Sequence, residues 1–175
     1  MRKILLILAL FPCILFSQIS IDPNPFEVNE SVTITVDINS NDTNCNSISN
    51  PDSVYMHAGI GDDSSPWGYS VVGNWGQDDG VGQMTDNGNG IWSITIVPED
   101  YFSLNSSQAS SATSMGMVFR NEDGTQELKD QGCSDFFINV GSFQVELINP
   151  DNSGIILVDY NGSTQILAQN TNGNA

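Results

Sequence analysis

The run Val32–Ile38 alternates without interruption: Val32, Ile34, Val36 and Ile38 are apolar, and Thr33, Thr35 and Asp37 between them are polar. A period of two places the apolar set on one face of a pleated strand and the polar set on the other, so the stretch reads as a half-buried strand. Similar runs recur along the chain. Val54–Ile60 directs Val54, Met56, Ala58 and Ile60 toward a core and turns Tyr55 and His57 outward together. Ile91–Val97 carries Trp92, Ile94 and Ile96 on one side, which assigns Trp92 to the core. Met115–Arg120, Thr125–Asp130 and Asp135–Val140 read as further strands, with short ones at Tyr69–Val72 and around Gln83–Thr85 and a helical turn near Tyr101. Turn formers separate them: Asn39–Asp52 is a loop, and Asp86–Gly90 and Asn121–Gly124 are turns, because Asn and Gly accept positive φ. Short strands with turns between them fit an all-β protein, an immunoglobulin-like β-sandwich.

The two ends read differently. Arg2 and Lys3 precede the apolar run Ile4–Phe16, and polarity returns at Ser17. That pattern is a secretory signal peptide over residues 1–18, and the run is too short to span a bilayer. The expected product is secreted, extracellular or at the cell surface, with no membrane insertion after cleavage, and monomeric. Residues 19–141 are read as the sandwich. Phe143–Ile148, Gly154–Tyr160 and Thr164–Ala168 are three more strand-like runs, read as the beginning of a second, truncated β-sandwich module over 142–175. Cys13 leaves with the signal, and an even pair in an exported chain predicts a disulfide between Cys45 and Cys133.

Charge narrows the partners. Loss of Arg2 and Lys3 leaves Arg120 and Lys129 against 21 acidic residues, a net charge of −19. Such a surface offers no basic patch for nucleic acid or anionic lipid, and it disfavours anionic polysaccharides. A neutral partner or a cation is compatible.

Catalysis finds little support. His57 is the sole histidine, and no Gly-x-Ser-x-Gly elbow accompanies it. The adjacent pairs Asp62-Asp63, Asp78-Asp79, Glu99-Asp100 and Glu122-Asp123 read as solvated turn charges rather than the two opposed carboxylates of a glycosidase. No catalytic residue is assigned. Neither CxxC nor HExxH occurs, so no metal ligands are assigned and no cofactor is expected. Calcium is left open, since Asp62, Asp63, Asp78 and Asp79 could supply hard oxygens, although not in EF-hand spacing.

The aromatic residues are the informative ones. Trp67, in SSPWGYS, and Trp75, in GNWGQDDG, lie in polar stretches where burial is hard to arrange. Exposing one such ring costs about 2–3 kcal/mol of hydrophobic free energy. A pyranose stacks its C–H face on a flat ring and needs polar partners for its hydroxyls at the rim. Trp67 and Trp75 are therefore candidate ligand-binding residues for a neutral polysaccharide.

VYMHAG with a tryptophan ten residues after His57, then GNGIWSITI, then MVFRNEDGT, resembles bacterial starch-binding modules of carbohydrate-binding families 25 and 26. The resemblance covers roughly Val32–Val140. It implies a starch-like α-glucan cradled by Tyr55 and His57, matching an alternate pair on an early strand, and by Trp67, matching a loop tryptophan; Trp75 matches a further platform residue. It further implies a non-catalytic module, the N-terminal part of a secreted amylase-type glycoside hydrolase. Where those modules continue into Trp-Asp-Asn, this chain runs TQELKDQGC, leaving Gln126 and Lys129 as candidate polar donors. The alternative reading is a structural immunoglobulin-like spacer or adhesion module of a secreted or cell-surface protein, without glycan binding.

Overall fold

The structure is a computed structural model that describes residues 18–39 and 47–141, together with the backbone of three later strands. The expected signal peptide and Cys45 lie outside the described residues. The strands are β1 (Ile19–Asp22), β2 (Val32–Asp37), β3 (Val54–Asp62), β4 (Ser65–Val72), β5 (Thr85–Asp86) and β6 (Ile91–Ile96). Two short helices follow, α1 (Pro98–Tyr101) and α2 (Ser106–Ser111), and then β7 (Ser114–Asn121), β8 (Glu127–Leu128) and β9 (Phe136–Asn139).

These strands build two antiparallel sheets. One has the order β1-β2-β6-β5; the other has the order β4-β3-β7-β8, with β9 also paired to β7. The alternating apolar residues decide how the sheets meet. Val32, Ile34 and Val36 stand opposite Ile96, Ile94 and Trp92 in register, so one face of the first sheet is a continuous apolar layer. It packs on Val54, Met56, Ala58 and Ile60 of β3 and on Met115, Met117 and Phe119 of β7, all fully buried in one core. This is the expected all-β sandwich, with Trp92 in its core as the alternation requires. The other face of the first sheet is polar: Ser20, Thr33, Thr35, Ser93 and Thr95 lie along it, and the Thr33 and Thr95 hydroxyls are hydrogen-bonded at 2.9 Å.

Three differences from the sequence reading have local causes. The lead-in at Ile19 pairs with β2 as a strand. The helical turn expected near Tyr101 begins at Pro98, whose fixed φ suits a first helical position. Helix α2 arises in a serine-rich connection because Asn105 caps it: its side chain accepts from Ser107 and Gln108 N–H, and the Gln108 side chain accepts from the Asn105 N–H in return. Further along, β10 (Glu146–Ile148), β11 (Ile155–Tyr160) and β12 (Thr164–Gln169) form an antiparallel three-stranded sheet.

Candidate functional site

Strand β7 is buried along its whole length, and β3 nearly so, which a sandwich core on one side cannot explain. Their outer faces are covered as well. Register gives the arrangement of that outer face: Tyr55 lies opposite Arg120, His57 opposite Val118, Gly59 opposite Gly116 and Gly61 opposite Ser114. The covering comes from β4 and from the loop Gly73–Gln83 that follows it.

The two glycines make a trough, and Trp67 lies in it. A Cβ on Gly59 would come within 2.8 Å of Trp67 Cδ2, and one on Gly116 within 2.5 Å of its Nε1, so the indole bridges both strands. Trp67 reaches this position because the β3–β4 register shifts between Ile60 and Asp62, and the β4 backbone at Ser65–Gly68 folds close over Gly61. Glycine within a strand marks such close approach. Trp67, expected in a loop, is thus part of a bulged strand, with its indole half-buried against the sheet.

His57 is the hub of the aromatic group. Its ring stacks on Trp67 at 5.7 Å between centroids and 28° between planes, and meets Trp75 edge-on at 5.5 Å and 88°. Trp75 itself is 45% exposed and borders Gly124 of the neighbouring turn. The structure therefore brings together three of the four candidate ligand-binding residues: His57, Trp67 and Trp75.

Tyr55 is placed differently. It points to the outer face, as alternation predicts, but it is only 1% exposed. The loop lies over it, Asp78 accepts a short hydrogen bond from its hydroxyl, and the Arg120 guanidinium carbon lies 4.3 Å from its ring centroid. Arg120 is itself fully buried. Its Nη2 donates to the Asn74 and Gln77 carbonyls at 2.8 Å each, and its Nη1 to those of Asn121 and Glu122 at 2.8 and 3.1 Å. Tyr55 and Arg120 are thus the floor beneath the Trp75 loop, and the accessible rings are those of His57, Trp67 and Trp75. Arg120 escaped the sequence reading, although an arginine at an outward position in an otherwise apolar strand was the available signal.

The acidic residues are occupied locally. Asp62 accepts from Ser64 N–H and hydroxyl, Ser65 N–H and the Tyr69 hydroxyl; Asp63 accepts from Thr113; Asp79 accepts from Asn74 and Val81. The Ser64 hydroxyl above all holds the Asp62 carboxyl below its ordinary range, and the Asn74 amide does the same for Asp79. A glycosidase acid needs the opposite shift. No group of three or more potential metal ligands occurs among the described residues. Of the candidate polar donors, Gln126 accepts from Ser49 N–H, while Lys129 pairs with Asp135 at 3.4 Å. Cys133 sits in a 3-10 turn (Gln131–Cys133), and the Cys45 side of the expected pair is outside the described residues.

Burial lowers the His57 pKa and the Arg120 charge acts in the same direction, while the Gly73 backbone and the Asp135 carboxylate oppose them, the net shift being downward. The folded state therefore disfavours the imidazolium. Above the unfolded value of about 6.5 the ring is neutral in both states and contributes no pH dependence. As pH falls below that value the unfolded chain takes up the proton first, so stability is lost until the depressed folded value is passed. Denaturant midpoints measured between pH 5 and 7.5 are expected to fall with acid in the wild type, and to fall less in His57→Gln. Equal slopes would show that His57 is not held neutral.

The fold and site define a class: a two-sheet β-sandwich with an aromatic cluster mounted on the outer face of one sheet. The family described as a domain of unknown function, DUF8578, matches residues 19–128, and the chain belongs to that family. No curated protein matches it.

Proposed function

We propose that the outer face of the β3–β7 sheet binds a neutral polysaccharide, a starch-like α-glucan, and that the chain is a secreted, non-catalytic binding module of an amylase-type glycoside hydrolase. One observation carries the reading. Among the described residues the large hydrophobic side chains that stand exposed are Val71, Trp75, Val81 and Phe137. Val71 and Phe137 pair with Gly59 and Gly116 on this face, while Trp75 and Val81 belong to the loop that closes it. The opposite face of the sandwich is mostly polar, with Ser20, Thr33, Thr35, Asp37, Ser93 and Thr95 along it and Ile91 at its edge. A secreted, strongly acidic chain gains nothing in solubility from such asymmetry, and a rigid aromatic surface with polar neighbours is what the apolar face of a sugar ring needs. The glycan reading also draws support from the resemblance of the His57 and Trp67 segments to starch-binding modules.

Retention on insoluble starch tests it. The wild-type chain is expected to deplete from solution, and Trp75→Ala to bind about 10-fold more weakly, the worth of one stacking contact. Trp75 is 45% exposed and lies outside the sandwich core, so the variant should stay folded, which its melting curve checks. Undiminished retention of Trp75→Ala would sink the assigned site, and no retention of the wild type would favour the spacer reading.

A further inference from the structure

The register of the second sheet places four residues in one row across the strands: Val71 on β4, Gly59 on β3, Gly116 on β7 and Phe137 on β9. Trp67 fills the glycine pair at the middle of the row. Its two ends are open, with Val71 50% and Phe137 52% exposed. Phe137 was not among the candidate ligand-binding residues.

Its surroundings are specific. Alternation along β9 puts the core residues Phe136 and Ile138 on the inner face, opposite Met117 and Met115. Asp135, Phe137 and Asn139 consequently share the outer face. Phe137 is a ring flanked by a carboxylate just before its strand, Asp135, and by a carboxamide at the strand's end, Asn139. The exposed Asn139 and half-buried Asp135 can accept hydrogen bonds from sugar hydroxyls, and Lys129, paired with Asp135, supplies a donor at the same edge.

We propose that Phe137, with Asp135 and Asn139, is a second stacking station, and that the bound chain runs across the strands from Trp67 toward β9. The inference rests on the polysaccharide reading above and adds a direction and a length to it. From the midpoint of the glycine pair to β9 is one and a half strand spacings, roughly 7 Å. Trp67 and Phe137 thus serve neighbouring or next-neighbouring rings of one extended oligosaccharide, not two separate sugars. The net charge of −19 left after loss of residues 1–18 disfavours a polyanion as occupant.

The test is a length series of neutral malto-oligosaccharides, from the disaccharide to the heptaose, titrated into residues 19–175 and its variants. Phe137→Ala should weaken the heptaose about 5–10-fold and the disaccharide, too short to be held firmly at both stations, by much less, a length dependence that a general loss of stability would not produce. Asn139→Ala should show the same length dependence at smaller amplitude. An equal loss at every length, or no loss for the heptaose while Trp75→Ala weakens it, overturns the second station alone. Failure of the wild type to bind any member overturns the station together with the reading on which it rests.

Discussion

Arg120→Met is expected to destabilise the protein by about 3–5 kcal/mol, and to release the loop Gly73–Gln83 from the sheet. The size follows from what the guanidinium holds. Its two terminal nitrogens satisfy four backbone carbonyls, two in the loop, one at the end of β7 and one in the turn beyond it. Methionine fills much of the volume but leaves all four acceptors without that donor. The Tyr55 ring loses the cation over its face, and the loop keeps the Asp78 bond to the Tyr55 hydroxyl and the Met56 N–H bond to the Gly82 carbonyl, with nothing fixing the Asn74 and Gln77 carbonyls from below. Arg120→Lys keeps the charge but presents a point in place of a fork, so it should recover part of the loss only.

The distinguishing readout is local. Trp75 lies between Asn74 and Gln77, the two loop residues whose carbonyls Arg120 binds. Limited proteolysis should therefore cut the variant within the loop under conditions where the rest of the sandwich resists, and the edge-on contact of Trp75 with His57 should be lost. A variant that unfolds only globally, with no early cut in the loop, would contradict this role for Arg120.

Most of the sandwich was legible because its strands alternate. Val32–Ile38 and Val54–Ile60 announce which side faces the core, and the structure agrees residue by residue. The site was legible in part, and the gaps have physical causes. Outward direction was correctly read for Tyr55 and His57, but whether an outward residue is open depends on what folds over it, and the cover of Tyr55 is fixed by Arg120, distant in sequence. The Ser, Pro and Gly around Trp67 point to a loop, yet the register shift between β3 and β4, with the extra residues on β4, carries the segment back onto the sheet. For Phe137 the run Phe136-Phe137-Ile138 is apolar throughout, so no period is visible, and only pairing with β7 decides which ring turns outward. The glycines were the missed signal: Gly59 and Gly61 alternate inside a strand, where a missing side chain weakens pairing unless something must come close.

That signal gives the second large effect. Gly116→Ala is expected to push Trp67 off the sheet, because the added Cβ would stand 2.5 Å from Nε1 and 2.7 Å from Cε2 of the indole. These are atoms of a rigid ring, so the whole side chain must move, at a cost of about 1–3 kcal/mol for overpacking. The movement also separates Trp67 from His57 and breaks the stacked pair at the centre of the proposed platform. In a Trp75→Phe background, fluorescence reports Trp67 against the buried Trp92, and its emission should shift to the red. A double-mutant cycle separates displacement from simple strand damage. With Trp67→Ala already in place, the alanine at position 116 has no ring to meet, and its destabilising effect should vanish or change sign, since alanine suits a strand better than glycine. Additive losses in the cycle would mean that the glycine serves the backbone alone. Strong coupling would mean that β3 and β7 keep their glycines so that a tryptophan can lie on them.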